Sequence, residues 1–255
     1  MRRLRQLRLV RDAARCALAP VTMRRRVPGT RYRVHFPAAQ YLGWISPGGM
    51  KREQSIAQRF RDYIHPGDTV VDVGANVGVY TMLAAELVGR SGHVHAFEPD
   101  PQSMSYLLMT VNRNRLTERV TLWNVAASDR AAKGQLYLDL KTARTTSLNA
   151  DAYSPDAQIR QPLVVSTARL DDLITQPPQF LKIDVEGAEL AVLAGAAGLL
   201  REHHPVLLVE VLPDNLPSVT DLLVPLGYSL ADAGSGAPLG TGEYTGDVVA
   251  VPQDG

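Results

Sequence analysis

One cysteine, no long apolar run and no internal repeat are the shortages in this sequence, and each closes off a class of protein. With Cys16 alone, an intrachain disulfide is excluded and no thiol cluster remains for zinc. No apolar stretch approaches the ~20 residues that a bilayer-crossing helix needs. The opening "MRRLRQLRLVRDAARCALAP" is interrupted by arginines throughout, so it lacks the clean apolar core of a secretory signal. These absences fit a cytoplasmic protein.

The composition is that of a globular chain: 255 residues, 45% hydrophobic and 21% charged. That is enough to bury a sizeable core in one large α/β domain or two small ones. Charge is unevenly placed. Met1 to Arg26 carries nine arginines and one acid, Asp12, for a charge of +8, and the net +1 of the whole leaves the remainder at −7. Such a basic arm suits a solvated leader helix or a loose tail. Contact with an anionic membrane or nucleic acid, or use as a transit peptide, are its other readings. The arm alone does not define a nucleic-acid protein.

Beyond strand-like "RYRVHF", Gly/Pro-rich "SPGG" and a helix, the turn "HPGD" at His65–Asp68 launches a regular alternation. "TVVDVG" reads as a strand and "VGVYTMLAAELVG" as a helix with Val77, Tyr80, Leu83, Ala84 and Leu87 on one face. "HVHAFEP", "VTLWNVAAS", "GQLYLDL", "LVVSTARLD", "FLKIDV" and "VLLVEV" read as further strands. "PQSMSYLLMTVNRN", "AELAVLAGAAGLLREHH" and a stretch near "VTDLLVPLG" read as helices, and "YSLADA" with "DVVAVP" can close the sheet. Strands alternating with helices predict a doubly wound, mostly parallel α/β sheet, with ligands beyond the carboxyl ends of its strands.

The strongest local signal is "VVDVGANVGVYT". Asp72, Gly74, Asn76 and Gly78 fall between a buried strand and a helix. Gly74 permits a tight turn and close approach of a ligand; Gly78 permits close packing of helix on strand. Asn76 stands where a dinucleotide fingerprint has glycine, and asparagine tolerates the left-handed conformation. The next strand ends in "FEPD", where the Glu98 carboxylate can accept from both hydroxyls of a ribose. A dinucleotide would place a pyrophosphate beside Asp72. S-adenosylmethionine would bring an ammonium and a sulfonium instead, and Asp72 favours it.

With "FEPDP", "NVAASD", "ARLDDL" and "LKIDVEGAE" added to the glycine loop, the sequence from about Gly67 to Glu210 resembles the FkbM-type family of class I S-adenosylmethionine-dependent methyltransferases. The resemblance implies a seven-stranded Rossmann-like sheet, bound S-adenosylmethionine and methyl transfer to a hydroxyl oxygen. It divides the chain into a basic arm and leading segment over 1–64 and the methyltransferase domain over 65–255. It implies that Asp72, Gly74, Asn76 and Gly78 form the cofactor loop, with Tyr80 and Thr81 near the methionine end. Glu98 becomes the ribose acid, followed by Pro99. Ala126 and Ala127, with Asp129, lie where the adenine edge is read; Asp129 is equally suited to turning the chain.

The catalytic candidates sit in "DVEGAE". Asp184 ends an apolar strand without a local structural reason, and it would face the sulfonium. Asp184 and Glu186, two positions apart, would share one side of an extended chain and take the acceptor's proton. Glu189 suits the first turn of a helix. Glu210, ending the adjacent strand, can join Asp184 as an oxygen ligand for Mg²⁺, by analogy with catechol-type enzymes; the spacing itself gives no metal signature. His65 is a further candidate base, whereas His203 and His204 read as a helix terminus. Glu53 is a candidate for holding the methionine part. Acceptor contacts are expected from the polar segment 141–158 and from Tyr41–Met50.

The implied acceptor is a small hydroxylated metabolite such as a sugar or polyketide, and no obligatory nucleic acid is expected. The absence of an "NPPY"-like tetrapeptide weighs against N-methylation. Methylation of a polysaccharide or RNA guided by the arm, and a non-catalytic cofactor-binding module, are the rival readings. Homo-oligomerisation is left open.

Overall fold

The computed structural model describes residues 21–39, 41, 52–138, 146–148, 162–242 and 244–253. Residues 1–20 of the basic arm, 42–50, and the polar segment apart from 146–148 lie outside the described residues. The last five residues of the arm are neither leader helix nor tail. β1 (Thr22–Arg26) pairs antiparallel with β2 (Arg33–Pro37). Val34 and Phe36 of β2 are buried, so the apolar alternation of "RVHF" anchors the hairpin and pairing satisfies the backbone of the arginines.

There follow α1 (Arg52–Tyr63), β3 (Thr69–Val73), α2 (Val79–Leu87), β4 (His93–Phe97), α3 (Pro101–Arg113), β5 (Val120–Trp123), β6 (Ala126–Ala127), β7 (Ala132–Leu138), β8 (Thr146–Ser147) and β9 (Leu163–Ala168). After them come α4 (Leu170–Leu173), β10 (Phe180–Ile183), α5 (Glu189–Gly195), α6 (Ala197–His203), β11 (Val206–Glu210), α7 (Leu216–Leu223), β12 (Tyr228–Asp232) and β13 (Asp247–Pro252). The main sheet has seven strands in the order β12-β13-β11-β10-β3-β4-β5. β5, β4, β3, β10 and β11 are parallel, and β13 is antiparallel to both β11 and β12.

Successive side chains of a strand go to opposite faces, and the core divides accordingly. Val70 and Phe180 pack with Phe60 of α1, Met82 of α2, Leu107 of α3 and Phe36 of β2. Val71, Leu181 and Ile183 pack with Leu170 of α4, Val192 of α5, Leu199 of α6 and Val219 of α7. The leading segment thus shares its core with the sheet.

Two predicted elements divide. "VTLWNVAAS" contributes β5 to the main sheet and β6 to a four-stranded sheet of order β6-β9-β7-β8. The helix predicted over "AELAVLAGAAGLLREHH" breaks at Ala196. A Cβ on Gly195 would lie 1.9 Å from the Ser128 carbonyl oxygen, so this turn is pressed against β6. The Asp171 carboxylate then accepts from the N–H groups of Gly198 and Leu199, both at 3.0 Å. It satisfies donors that a new helix start leaves free. Among the described residues, no helix is long and apolar enough to cross a membrane.

Candidate active site

From β3 the chain adds β4 and then β5 on one side before crossing back to place β10 on the other. The crevice at this reversal is where a doubly wound sheet binds ligands. Register determines what lines it. Lys182 lies opposite Asp72, and Asp72 opposite Ala96. With a period of two, Asp72, Lys182, Asp184, Glu210 and Glu98 fall on the face covered by α2, at or beyond the strands' carboxyl ends. Four carboxylates and one ammonium therefore share one rim.

The glycine loop crosses this rim in the left-handed conformations expected of it. Gly74, Asn76 and Gly78 have φ of 79°, 52° and 96°. The space beside Gly74 is taken by protein: a Cβ there would lie 1.9 Å from the Asp184 carbonyl oxygen. At Gly78 it would meet Leu107 Cδ1 at 2.6 Å, so this glycine admits α3 rather than a strand. The Tyr41 hydroxyl donates to Asn76 Oδ1, tying the leading segment to the loop. The side chain of Glu53 lies outside the described ones.

Glu98 is 3% exposed. Its two oxygens accept from the backbone N–H groups of Asn76 and Asp100, each at 2.8 Å. Burial pushes its pKa up to about 8 against the pull of those bonds, and the charges of Asp100 and Asp72 add to the rise. An ionised carboxylate offers about four lone-pair sites, so two stay available for the hydroxyls of a ribose. Pro99 turns the chain toward α3, whose N-terminus Asp100 caps through Gln102 and Ser103. Asn124 donates to the Glu98 carbonyl at 2.8 Å. Ala126 and Ala127 are buried in β6. Asp129 follows them half-exposed, beside Ser128 Oγ at 3.2 Å and Arg130 at 3.7 Å.

Thr81 and Tyr80, expected near the methionine end, make contacts within the protein. Thr81 and Asp72 are fully enclosed, and Thr81 Oγ1 donates to Asp72 Oδ2 at 2.6 Å. This bond orients the Asp72 carboxylate. Tyr80 is half-buried, stacked on Phe60 with centroids 5.3 Å apart.

Asp184, Glu186 and Glu210 converge. One carboxylate oxygen of each lies within 4.8 Å of the others. Extended chain is not what unites the first two: β10 ends at Ile183, and Glu186 is left-handed with φ 49°. A turn folds its carboxylate back. Glu189 is buried and braces that turn, accepting from Gly187 N at 2.6 Å and Asn215 Nδ2 at 3.2 Å.

Lys182 escaped the sequence reading. It is 3% exposed, with Nζ 3.4 Å from Asp72 Oδ1, 3.2 Å from Asp184 Oδ2 and 4.9 Å from the Tyr80 ring centroid. Burial disfavours its charge, but Asp184, Asp72 and Glu210 outweigh that and raise its pKa above the ordinary lysine value. The signal was a lysine inside an apolar central strand, which requires a carboxylate partner.

His65 is not part of the site. It lies in the turn before Thr69, at the amino end of β3, with its side chain 73% exposed and Nδ1 3.8 Å from Asp68. The strand's length, roughly 13 Å at ~3.3 Å per residue, separates it from the carboxyl rim. His203 and His204 close α6 before β11 begins, at that same amino end.

The residues fit a cationic nucleoside ligand: a buried acid with free lone pairs for a ribose, and a net negative rim. Asp184, Glu186 and Glu210 bring one oxygen each within reach of a shared cation, but the Lys182 ammonium 3.2 Å from Asp184 Oδ2 opposes a divalent ion there.

This architecture is the Rossmann-like fold of methyltransferases. It matches a methyltransferase FkbM from Methylobacillus flagellatus, with a TM-score of 0.53 and 18% identity, over 76% of this chain and 50% of that one. It also matches a putative rRNA-methylase from Clostridium thermocellum, with a TM-score of 0.51 and 13% identity, over 80% and 97%. The family described as "Methyltransferase FkbM domain" matches residues 72–230, and the chain belongs to it.

Among curated relatives, 31-O-demethyl-FK506 methyltransferase FkbM of Streptomyces tacrolimicus is 33% identical over 160 residues, 52% of this chain and 60% of that protein. Hexuronic acid methyltransferase AglP of Haloferax volcanii is 25% identical over 175 residues, 64% and 63% respectively. The alignments thus span somewhat less than two thirds of either relative's length.

Proposed function

We propose that the chain is an S-adenosylmethionine-dependent methyltransferase acting on a hydroxyl oxygen of a small metabolite, such as a sugar or a polyketide-type compound. The observation that carries this is the row of carboxylates at the switch point, with Glu98 buried just past β4 and Asp72 enclosed beneath the loop. A pyrophosphate on that loop would face like charge in a weakly screened site, whereas a sulfonium and an ammonium are attracted. Family membership supports methyl transfer. Oxygen as acceptor is supported by the relatives' names, one an O-demethyl compound and the other a sugar acid.

When bound, the cofactor supplies a methyl group made electrophilic by positive sulfur. The chain contributes position and charge. Glu98 holds the ribose, and the Gly74–Gly78 turn fixes the loop against Asp184. Aligning an acceptor in line with the methyl accounts for most of the catalysis. Asp184, with Glu186 beside it, is the carboxylate that accepts the acceptor hydroxyl's hydrogen bond and takes that same proton as the oxygen gains the methyl. No step requires a metal ion, and EDTA is expected to leave turnover unchanged.

Methyl-labelled cofactor offered with a panel of hydroxylated metabolites, polysaccharide and RNA tests the reading. Label in an oxygen-bound methyl of a small acceptor is the expected result. Label only in polysaccharide or RNA, or binding of the cofactor without transfer to any acceptor, overturns it.

A further inference from the structure

Lys182 is buried in the central strand β10, and it brings positive charge to a crevice read above as a site for a cation. Its surroundings are unusually complete for a lysine. Asp72 of β3 and Asp184 flank it at 3.4 and 3.2 Å. Glu210 of β11 acts on it through space, the Tyr80 ring of α2 lies under it, and Glu186 and Glu98 complete the charged groups of the rim. Charge is the leading part of its partnership with the two aspartates, with a hydrogen-bond contribution from Asp184. A buried ion pair is weak evidence for stability, which directs attention to what the charge does for a ligand.

We propose that Lys182 is the residue that sets donor-over-product preference in this site. Its ammonium offsets part of the negative charge of Asp72 and Asp184, limiting how strongly the crevice favours a sulfonium donor over the uncharged thioether left after transfer. This rests on the S-adenosylmethionine reading. Without the lysine the donor would be held more tightly while the product, S-adenosylhomocysteine, would be little affected, because the two differ by one methyl and one charge. The crevice as built keeps enough negative charge to attract the donor, and Lys182 restrains the excess.

The test is the ratio of dissociation constants, product over donor, measured by calorimetry at pH 8.5 and low salt. Interactions common to both ligands, including the ribose on Glu98 and the methionine ammonium, cancel in this ratio. Lys182→Met is expected to raise it about tenfold, the size of one unit charge acting at several ångströms through partly screened protein. Lys182→Arg, which keeps the charge, is expected to return it to within about twofold of wild type. Asp72→Asn is expected to lower it about tenfold, and Asp72→Asn with Lys182→Met to restore it.

A Lys182→Met protein with an unchanged or lowered ratio overturns the proposal, since a merely structural role would weaken both ligands alike. Should that variant not fold, the double variant decides. It removes one charge of each sign and is expected to fold with a wild-type ratio; a double variant that also fails to fold overturns the proposal. Wild-type protein that binds neither ligand overturns the cofactor reading itself, a result distinct from a shifted or unshifted ratio.

Discussion

Glu98 shows how one residue's environment becomes a measurable property. Its native pKa of about 8 exceeds the ordinary 4.5 because burial disfavours the charge. The native protein therefore holds this proton more tightly than the unfolded chain. The resulting stabilisation is complete below about pH 4 and is lost as pH rises through about 8. Melting temperatures from pH 5 to 9 are expected to fall more steeply in wild type than in Glu98→Gln. Ribose hydroxyls favour the ionised carboxylate, so cofactor binding at pH 7 is expected to release a proton. Titration in two buffers of different ionisation enthalpy reads this release, and the Glu98→Gln variant is expected to show none. At the neighbouring site, Asp184→Asn is expected to lower turnover about 100-fold or more with the melting temperature retained. Full turnover in that variant would remove Asp184 from the mechanism.

At the scale of elements, the two strand-to-turn junctions after β3 and β10 make the site by touching each other. Gly74→Ala places a methyl against the Asp184 carbonyl in a left-handed residue. A loss of at least ~2 kcal/mol is expected, a fall of about 4–8 °C in melting temperature for a chain of this size. An unchanged melting temperature would mean that the junctions are not in contact. The same level shows what the sequence discloses. The parallel strands were legible because their apolar runs are bounded by turn residues, and the acids because "VVDVG", "FEP" and "KIDVEG" each end a strand. Hidden were features that depend on a distant partner. The helix breaks at Ala196 where Ser128 presses on Gly195 and Asp171 takes the N–H groups of Gly198 and Leu199. Glu186 joins Asp184 through a turn that periodicity does not reveal. Lys182 stands out in sequence only as a lysine within an apolar strand; that Asp72 is its partner appears once β3 lies beside β10.

At the scale of the molecule, the charge asymmetry takes a definite form. Arg24 and Arg26 are exposed on β1, a strand held to the body by β2, so the arm separable from the described body ends before Val21. Removing residues 1–20 is expected to leave turnover on a small acceptor unchanged; loss of that turnover would give the arm an obligatory role. Within the body, Asp72, Asp184, Glu186 and Glu210 come together at one rim of the sheet, and this gathering supports reading the donor as cationic.

Calorimetric titration of the wild-type protein with S-adenosylmethionine and, separately, with a nicotinamide dinucleotide addresses that central claim most directly. Saturable one-to-one binding of S-adenosylmethionine, weakened about tenfold or more by Glu98→Ala, with no binding of the dinucleotide, is the result expected. Binding of the dinucleotide without S-adenosylmethionine, or S-adenosylmethionine affinity indifferent to Glu98, would contradict it.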